Sequence, residues 1–287
     1  MTENKKVKLI ECPRDAMQGW AHFIPTNKKI AYINELLKVG FDTLDFGSFV
    51  SPKAIPQMAD TKDVISGLQL KNSPTKLLAI IANERGAADA VVYDEITYLG
   101  FPFSVSETFQ KRNTNATIKE SLKRVEEIQQ LCVKNKKELV VYLSMGFGNP
   151  YGDAYNEQIV FDWANQLIKL DIKILSLADT VGLATAFQIN RVTKYLVEAL
   201  PDIEIGVHLH STSFNWKEKV DAALNAGCIR FDGALKGIGG CPMAGDELVG
   251  NMDTELMIPY FNELNLTNGL NREALVNCSR MASELFV

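Results

Sequence analysis

The stretch KILSLADTVGLATAFQINRVTKYLVEALPDIEIGVHLH (173–210) carries the pattern that decides the fold. It opens on a short apolar run, KILSLADT (173–180). It then passes through AFQINRVTKYLVEAL (186–200), whose apolar residues recur at helical spacing, and closes on a second apolar run, EIGVHLH (204–210). Two short apolar runs joined by an amphipathic helix form a strand–helix–strand crossover unit. Strands buried on both faces read as near-continuous apolar runs, as these do.

The same unit recurs on both sides. VKLIEC (7–12), FDTLDFG (41–47), KLLAIIA (76–82), ITYLGFPFSV (96–105) and ELVVYLSMGF (138–147) precede it as strand-like runs, and IRFDGAL (229–235) follows it. Helical segments alternate with them. TNKKIAYINELLKVG (26–40) has Thr26 as its N-cap and Gly40 as its stop. TKDVISGLQL (61–70), ERGAADAVVYD (84–94), IKESLKRVEEIQQLCVKN (118–135), NEQIVFDWANQLIKL (156–170) and WKEKVDAALNAG (216–227) complete the alternation. A further helical part starts near Asp253, and NREALVNCSRMASELF (271–286) ends the chain. Eight such units predict an α/β fold, a single (β/α)8 TIM barrel over residues 1–287 with an extra C-terminal helix. A doubly wound open sheet is the alternative, but no GxGxxG follows the first strand.

Composition agrees with that size. The chain has 287 residues, 46% of them hydrophobic, which is ample for one large core. A net charge of −5 argues against a nucleic-acid partner, which calls for a basic face. No run approaches the roughly 18 apolar residues of a membrane span, and the opening MTENKKVKLIE lacks the apolar core of a signal segment. Five scattered cysteines without a CxxC pair fit reduced thiols, so a cytoplasmic location is expected.

Barrel active sites form at the C-terminal ends of the strands. There the sequence places Arg14, Asp15 and Gln18 after the first run, Asp45 and Ser48 after the second, and Asp179 and Thr180 after the sixth. The glycine-rich segment KGIGGCPMAGDELVGN (236–251) follows the eighth and carries Cys241, Asp246, Glu247 and Asn251. The seventh run supplies His208 and His210, two of only three histidines in the chain. Residues two apart on a strand share a face, so this HxH forms a two-nitrogen claw for a metal. Asp15 could add a carboxylate and Asn251 an amide oxygen. Imidazole and oxygen donors suit Mg²⁺ or Mn²⁺ better than zinc. The plainer reading, a pair of hydrogen-bonded core histidines, stays open at this point. Cys241 sits where glycines let a loop approach a ligand closely.

Taken together, PRD (13–15), SFVSPKAIPQMAD (48–60), LADTVG (178–183), HLH (208–210), GGCP (239–242) and GN (250–251) resemble the hydroxymethylglutaryl-CoA lyases. These form a branch of the metal-dependent TIM-barrel lyase and Claisen-condensing superfamily. The resemblance implies a CoA-thioester substrate, cleaved to acetyl-CoA and acetoacetate, with Mg²⁺ or Mn²⁺ held by Asp15, His208, His210 and Asn251. It implies that Arg14 stabilises the enolate and that Cys241 supplies the proton. Gln18, Asp45, Ser48, Ser176, Asp179 and Thr180 are implied on the substrate side. Leucine degradation, ketone-body formation and a homodimer are implied as well. The chain departs from the family at Ser211, where an acidic residue is usual, at Lys236, where a small one is, and at Ala16, where glycine is. Isopropylmalate, homocitrate and citramalate synthases share HxH and RD, so a condensing enzyme is the rival reading. A non-catalytic barrel that binds a CoA ester is another.

Overall fold

A computed structural model of the chain describes residues 6–71, 73–240, 249–267 and 269–287. Eight strands, β1 (Lys8–Glu11), β2 (Thr43–Ser48), β3 (Lys76–Ile80), β4 (Ile96–Ser104), β5 (Glu138–Ser144), β6 (Ile174–Ala178), β7 (Glu204–His208) and β8 (Arg230–Gly233), lie side by side in chain order. Every neighbouring pair is parallel, and β8 pairs back onto β1 to close the barrel. The (β/α)8 expectation holds.

Helices cover the outside. Ile118–Lys134 shows why they form: Thr117 and Glu120 make a reciprocal capping box, and Val125, Ile128 and Cys132 face the strands. Ala186–Ala199 is built the same way, with Thr185 and Gln188 as its box. The helix expected from Thr26 spans Thr26–Leu36, but Thr26 does not cap it. Its hydroxyl donates to Asp60 at 2.7 Å, and Pro25 occupies the cap position. Thr61–Ser66 stops at Gly67, short of the expected Leu70. The terminal helix Arg272–Leu285 packs against Thr26–Leu36, and the Phe286 ring that follows it sits edge-on to Trp20 at 5.3 Å.

Inside the barrel, Leu78, Tyr98, Val140, Tyr142 and Ile174 form a closed apolar cluster. Gly206 makes room beside it: a Cβ there would stand 2.8 Å from the Arg230 side chain, which crosses the interior to reach Glu204. The β2–β3 register slips between Asp45 and Gly47, a bulge that falls beside the site described below.

One carboxyl lies outside the interior yet fully buried. Glu11, at the end of β1, accepts the Leu235 N–H at 2.9 Å and the Thr254 hydroxyl at 2.6 Å. It ties the barrel to both ends of the glycine-rich segment. Burial pushes its pKa from 4.5 up to about 8, against those two hydrogen bonds. The folded chain therefore holds a proton there that the unfolded chain releases. That stabilisation is complete below about pH 4.5 and is lost as pH rises through 8. Relative to Glu11→Gln, the wild type should lose roughly 3–4 kcal/mol between pH 5 and pH 8 in urea unfolding. A difference that stays flat with pH would refute the buried neutral acid.

Candidate active site

The segment after β1 is a six-residue helix, Pro13–Gln18, with proline at its first position, where no N–H is needed. One turn of helix gathers the three predicted residues. Arg14 Nη1 donates to Asp15 Oδ1 at 2.7 Å and to Gln18 Oε1 at 2.9 Å. Gln18 Nε2 donates to the same Asp15 oxygen at 2.8 Å. Asp45, reaching in from β2, takes the other side of the guanidinium: Arg14 Nε lies 3.1 and 3.0 Å from its two oxygens, and Nη2 also donates to it. The fork-on-carboxylate geometry fixes the arginine.

Strand β7 ends at His208, earlier than EIGVHLH suggests. His210 instead forms an isolated antiparallel bridge with Asn251. The chain stays extended, so the imidazoles share a face with ring centroids 5.5 Å apart, while Leu209 turns into the main core. The bridge delivers Asn251 to the site. Its Nδ2 donates to Asp15 Oδ2 at 2.8 Å and to the Ile238 carbonyl at 2.9 Å, and among the described residues Oδ1 has no partner. Gly239, at φ +97°, allows this close approach: a Cβ would stand 2.8 Å from Asn251 Nδ2 and from the Asp15 carbonyl.

Asp15, His208 and His210 each present a ligand-capable atom within 4.8 Å of the other two. Among the described residues, His210 Nδ1 and Asn251 Oδ1 have no hydrogen-bond partner. Buried acceptors without partners are costly, and two of them beside a carboxylate fit a cation. The donor set, imidazole nitrogen with carboxylate and amide oxygen, suits Mg²⁺ or Mn²⁺.

The protonation states of Asp15 and His210 agree with a cation there, while His208 would give up its proton on binding one. Burial pushes the Asp15 carboxyl upward, but the Arg14 guanidinium, His208, the Asn251 amide and His210 outweigh it and hold the pKa at about 2. Burial, with His208 and Lys219 nearby, brings His210 down to about 3, so its ring is neutral. For His208 burial also acts downward, but Asp232 and Asp15 reverse it and raise the pKa above 6.5. Asp45 is raised by burial to about 6 despite Arg14, so both carboxylates are ionised at neutral pH.

A cavity of about 410 Å³ opens over this set. Arg14, Asp15, Gln18, Thr180, His208 and His210 form its polar wall, and Val50, Ile55, Ile80, Pro102 and Phe109 line the opposite side. The other expected substrate-side residues stand back from it. Asp45 is spent on Arg14. The Ser48 hydroxyl accepts the Val50 N–H at 3.1 Å. Ser176 is buried inside the barrel. Asp179 accepts the Ala184 N–H at 3.0 Å and the Lys219 ammonium at 2.8 Å. Lys219 in turn donates to the His210 carbonyl at 2.7 Å, so this buried pair braces the second histidine through its backbone. The Ser211 hydroxyl points to Met252 sulfur at 3.4 Å, and Lys236 lies 3.6 Å from Glu255. Cys241, Asp246 and Glu247 lie outside the described residues.

A family model described as HMGL-like matches residues 6–282. The chain belongs to the HMGL-like family. Hydroxymethylglutaryl-CoA lyase YngG of Bacillus subtilis is 31% identical over 284 residues, which cover 98% of this chain and 93% of that protein. A 3-hydroxy-3-isohexenylglutaryl-CoA/hydroxymethylglutaryl-CoA lyase of Pseudomonas aeruginosa is 31% identical over 96% of this chain and 91% of its own. Among solved structures, an HMG-CoA lyase from Acinetobacter baumannii, in complex with coenzyme A and 3-methylmalate, superposes with a TM-score of 0.91 at 31% identity. That match covers 100% of this chain and 93% of the other.

Two residues of this HMGL-like site escaped the sequence reading. Asp232 sits beneath His208, and Lys219 beneath His210. Each left a faint signal. Asp232 is a charge inside the interior run RFDG, and Lys219 is a lysine beside Val220, Ala222 and Ala223 on the buried stripe of its helix.

Proposed function

We propose that this lyase cleaves the carbon–carbon bond of 3-hydroxy-3-methylglutaryl-CoA, or of a closely related 3-hydroxyacyl-CoA, to acetyl-CoA and acetoacetate. The observation that carries the reading is the convergence of Asp15, His208, His210 and Asn251 at the cavity mouth, with Arg14 beside them, in an HMGL-like chain. Those four residues would hold a Mg²⁺ or Mn²⁺, which would supply Lewis acidity for the tertiary hydroxyl. Asp15, held at about 2, has little affinity for a proton and serves as a ligand, as do both imidazoles, so the hydroxyl proton passes to water. Arg14, kept charged by its carboxylate neighbours, faces the cavity and stabilises the departing enolate. Gln18 and Thr180 offer hydrogen bonds to the acyl part, and Asp45, Ser48, Ser176 and Asp179 support the wall behind them. Cys241 returns the proton to the acetyl-CoA carbon, a role that rests on the family resemblance.

Coenzyme A reaches the site from the side of helix Glu107–Thr114. Arg112 lines both the main cavity and an adjoining basic pocket that adds Arg85 and Arg124. Of the other lysines near that side, Lys53 is exposed and Lys111 pairs with Glu107 at 3.2 Å. Leucine degradation and ketone-body formation are the processes those products would serve. A cytoplasmic location and a homodimer belong to the same reading. Among the described residues no helix is long and apolar enough to cross a membrane.

The test offers chelator-treated protein a panel of CoA thioesters, with and without Mg²⁺ or Mn²⁺. Equimolar acetyl-CoA and acetoacetate from 3-hydroxy-3-methylglutaryl-CoA, dependent on metal, is the expected result. No cleavage, but condensation of acetyl-CoA with a 2-oxo acid, would replace this reading with a synthase.

A further inference from the structure

Asp232 lies directly across the β7–β8 register from His208. Its Oδ2 is 3.2 Å from His208 Nδ1, and its side chain is buried without exposure. Among the described residues its Oδ1 has no partner. A carboxylate in that place is costly to bury unless it holds something. What it holds is His208 Nδ1, which leaves Nε2 as the ring nitrogen available to a cation. Tyr142 packs edge-on against the same ring at 6.0 Å, so its rotation is limited from a second side.

A neutral imidazole has one N–H and one lone pair, and the bond made by the first nitrogen decides which lone pair is offered at the second. With Nδ1–H donating to Asp232, the lone pair of His208 lies on Nε2. We propose that Asp232 is a positioning residue: it fixes the tautomer and ring orientation in which His208 presents Nε2 to the cation shared with Asp15 and His210. The proposal rests on the metal reading above. Partners of this kind commonly tune metal affinity 10–100-fold. Asp232 does not touch substrate in this account, and it is absent from the cavity wall.

Cys12 offers a competing explanation, because Cys12, His208 and Asp232 also bring ligand-capable atoms within 4.8 Å of one another. In that case Asp232 would itself be a ligand. The Cys12 thiol is directed at the Ile10 carbonyl, 3.8 Å away, which favours the positioning role.

The experiment has two arms. Only three histidines are present, so selective ¹⁵N-histidine labelling of the metal-free protein reads the tautomer of each ring. Read at a pH above the raised His208 pKa, where the ring is neutral, His208 is expected as Nδ1–H in the wild type and as a mixture in Asp232→Asn. In the second arm, Mn²⁺ binding is followed by calorimetry and by the Mn²⁺ electron paramagnetic resonance signal. Asp232→Asn should bind Mn²⁺ roughly 10–100-fold more weakly, Asp232→Glu should recover part of the loss, and Cys12→Ala should bind as the wild type does. An Nε2–H tautomer in the wild type, or unchanged Mn²⁺ affinity in a folded Asp232→Asn, overturns the proposal. Loss of Mn²⁺ binding in Cys12→Ala overturns it too, in favour of direct ligation. If the wild type binds no Mn²⁺, the metal reading fails, while the tautomer arm still decides whether Asp232 holds His208.

Discussion

Asp15→Ala should bind Mn²⁺ at least about 100-fold more weakly than the wild type and lose nearly all turnover, more than removing an outer partner does. Three donors converge on this one carboxylate: Arg14 and Gln18 on Oδ1, and Asn251 on Oδ2. Truncation removes the only anionic ligand of the set. It also frees Asn251 from the bond that orients its Oδ1, and leaves the Arg14 charge facing the cation directly. Asp15→Asn keeps the shape, but it would set one amide against another at Asn251, so a smaller yet clear loss is expected. Calorimetric titration of the folded variants with Mn²⁺ checks this. Near-wild-type affinity in Asp15→Ala would place the ion elsewhere.

The second large effect falls on Arg14. Removing one member of a buried ion pair costs about 3–5 kcal/mol, because the other charge is stranded, and here the stranded group is Asp45. Losing a donor aimed at developing negative charge costs about 10²–10³ in kcat. Arg14→Gln therefore combines two losses, and a double variant separates them. Arg14→Gln with Asp45→Asn should regain part of the lost stability in urea unfolding, since the Asp45 charge is gone while Asp15 keeps its Gln18 and Asn251 donors, and kcat stays low. Recovery of turnover along with stability would show that Arg14 acts only as a brace.

The barrel was readable because each strand is buried on both faces and each helix on one stripe. Eight repeats of that contrast leave few other folds. The shared face of the two histidines was readable for a related reason: residues two apart on an extended segment point the same way, and that held for His210 even though it lies beyond the last strand residue of β7. Pro13–Gln18 was harder to see, because six residues are too few to show a helical period. Thr26 looked like a cap, yet its hydroxyl is drawn off by Asp60, a partner 34 positions away that local pattern does not report. Asp179 looked like a substrate contact because it ends a strand. Its burial partner, Lys219, comes from a helix 40 positions away. Asp232 was missed because a single carboxylate in a short run carries no spacing signal, and only the register with β7 reveals what it touches. Long-range polar pairing, which periodicity does not encode, accounts for each of these differences.

Asp15, His208, His210 and Asn251 are proposed to hold the divalent ion over which the CoA thioester is cleaved. The most direct measurement is anomalous diffraction at the manganese edge from crystals grown with Mn²⁺. The expected result is one strong peak per chain, within bonding distance of Asp15, His208 and His210, that vanishes in Asp15→Ala. A peak bounded by Cys12 and Asp232 instead, or no ordered manganese at saturating concentration, would contradict it.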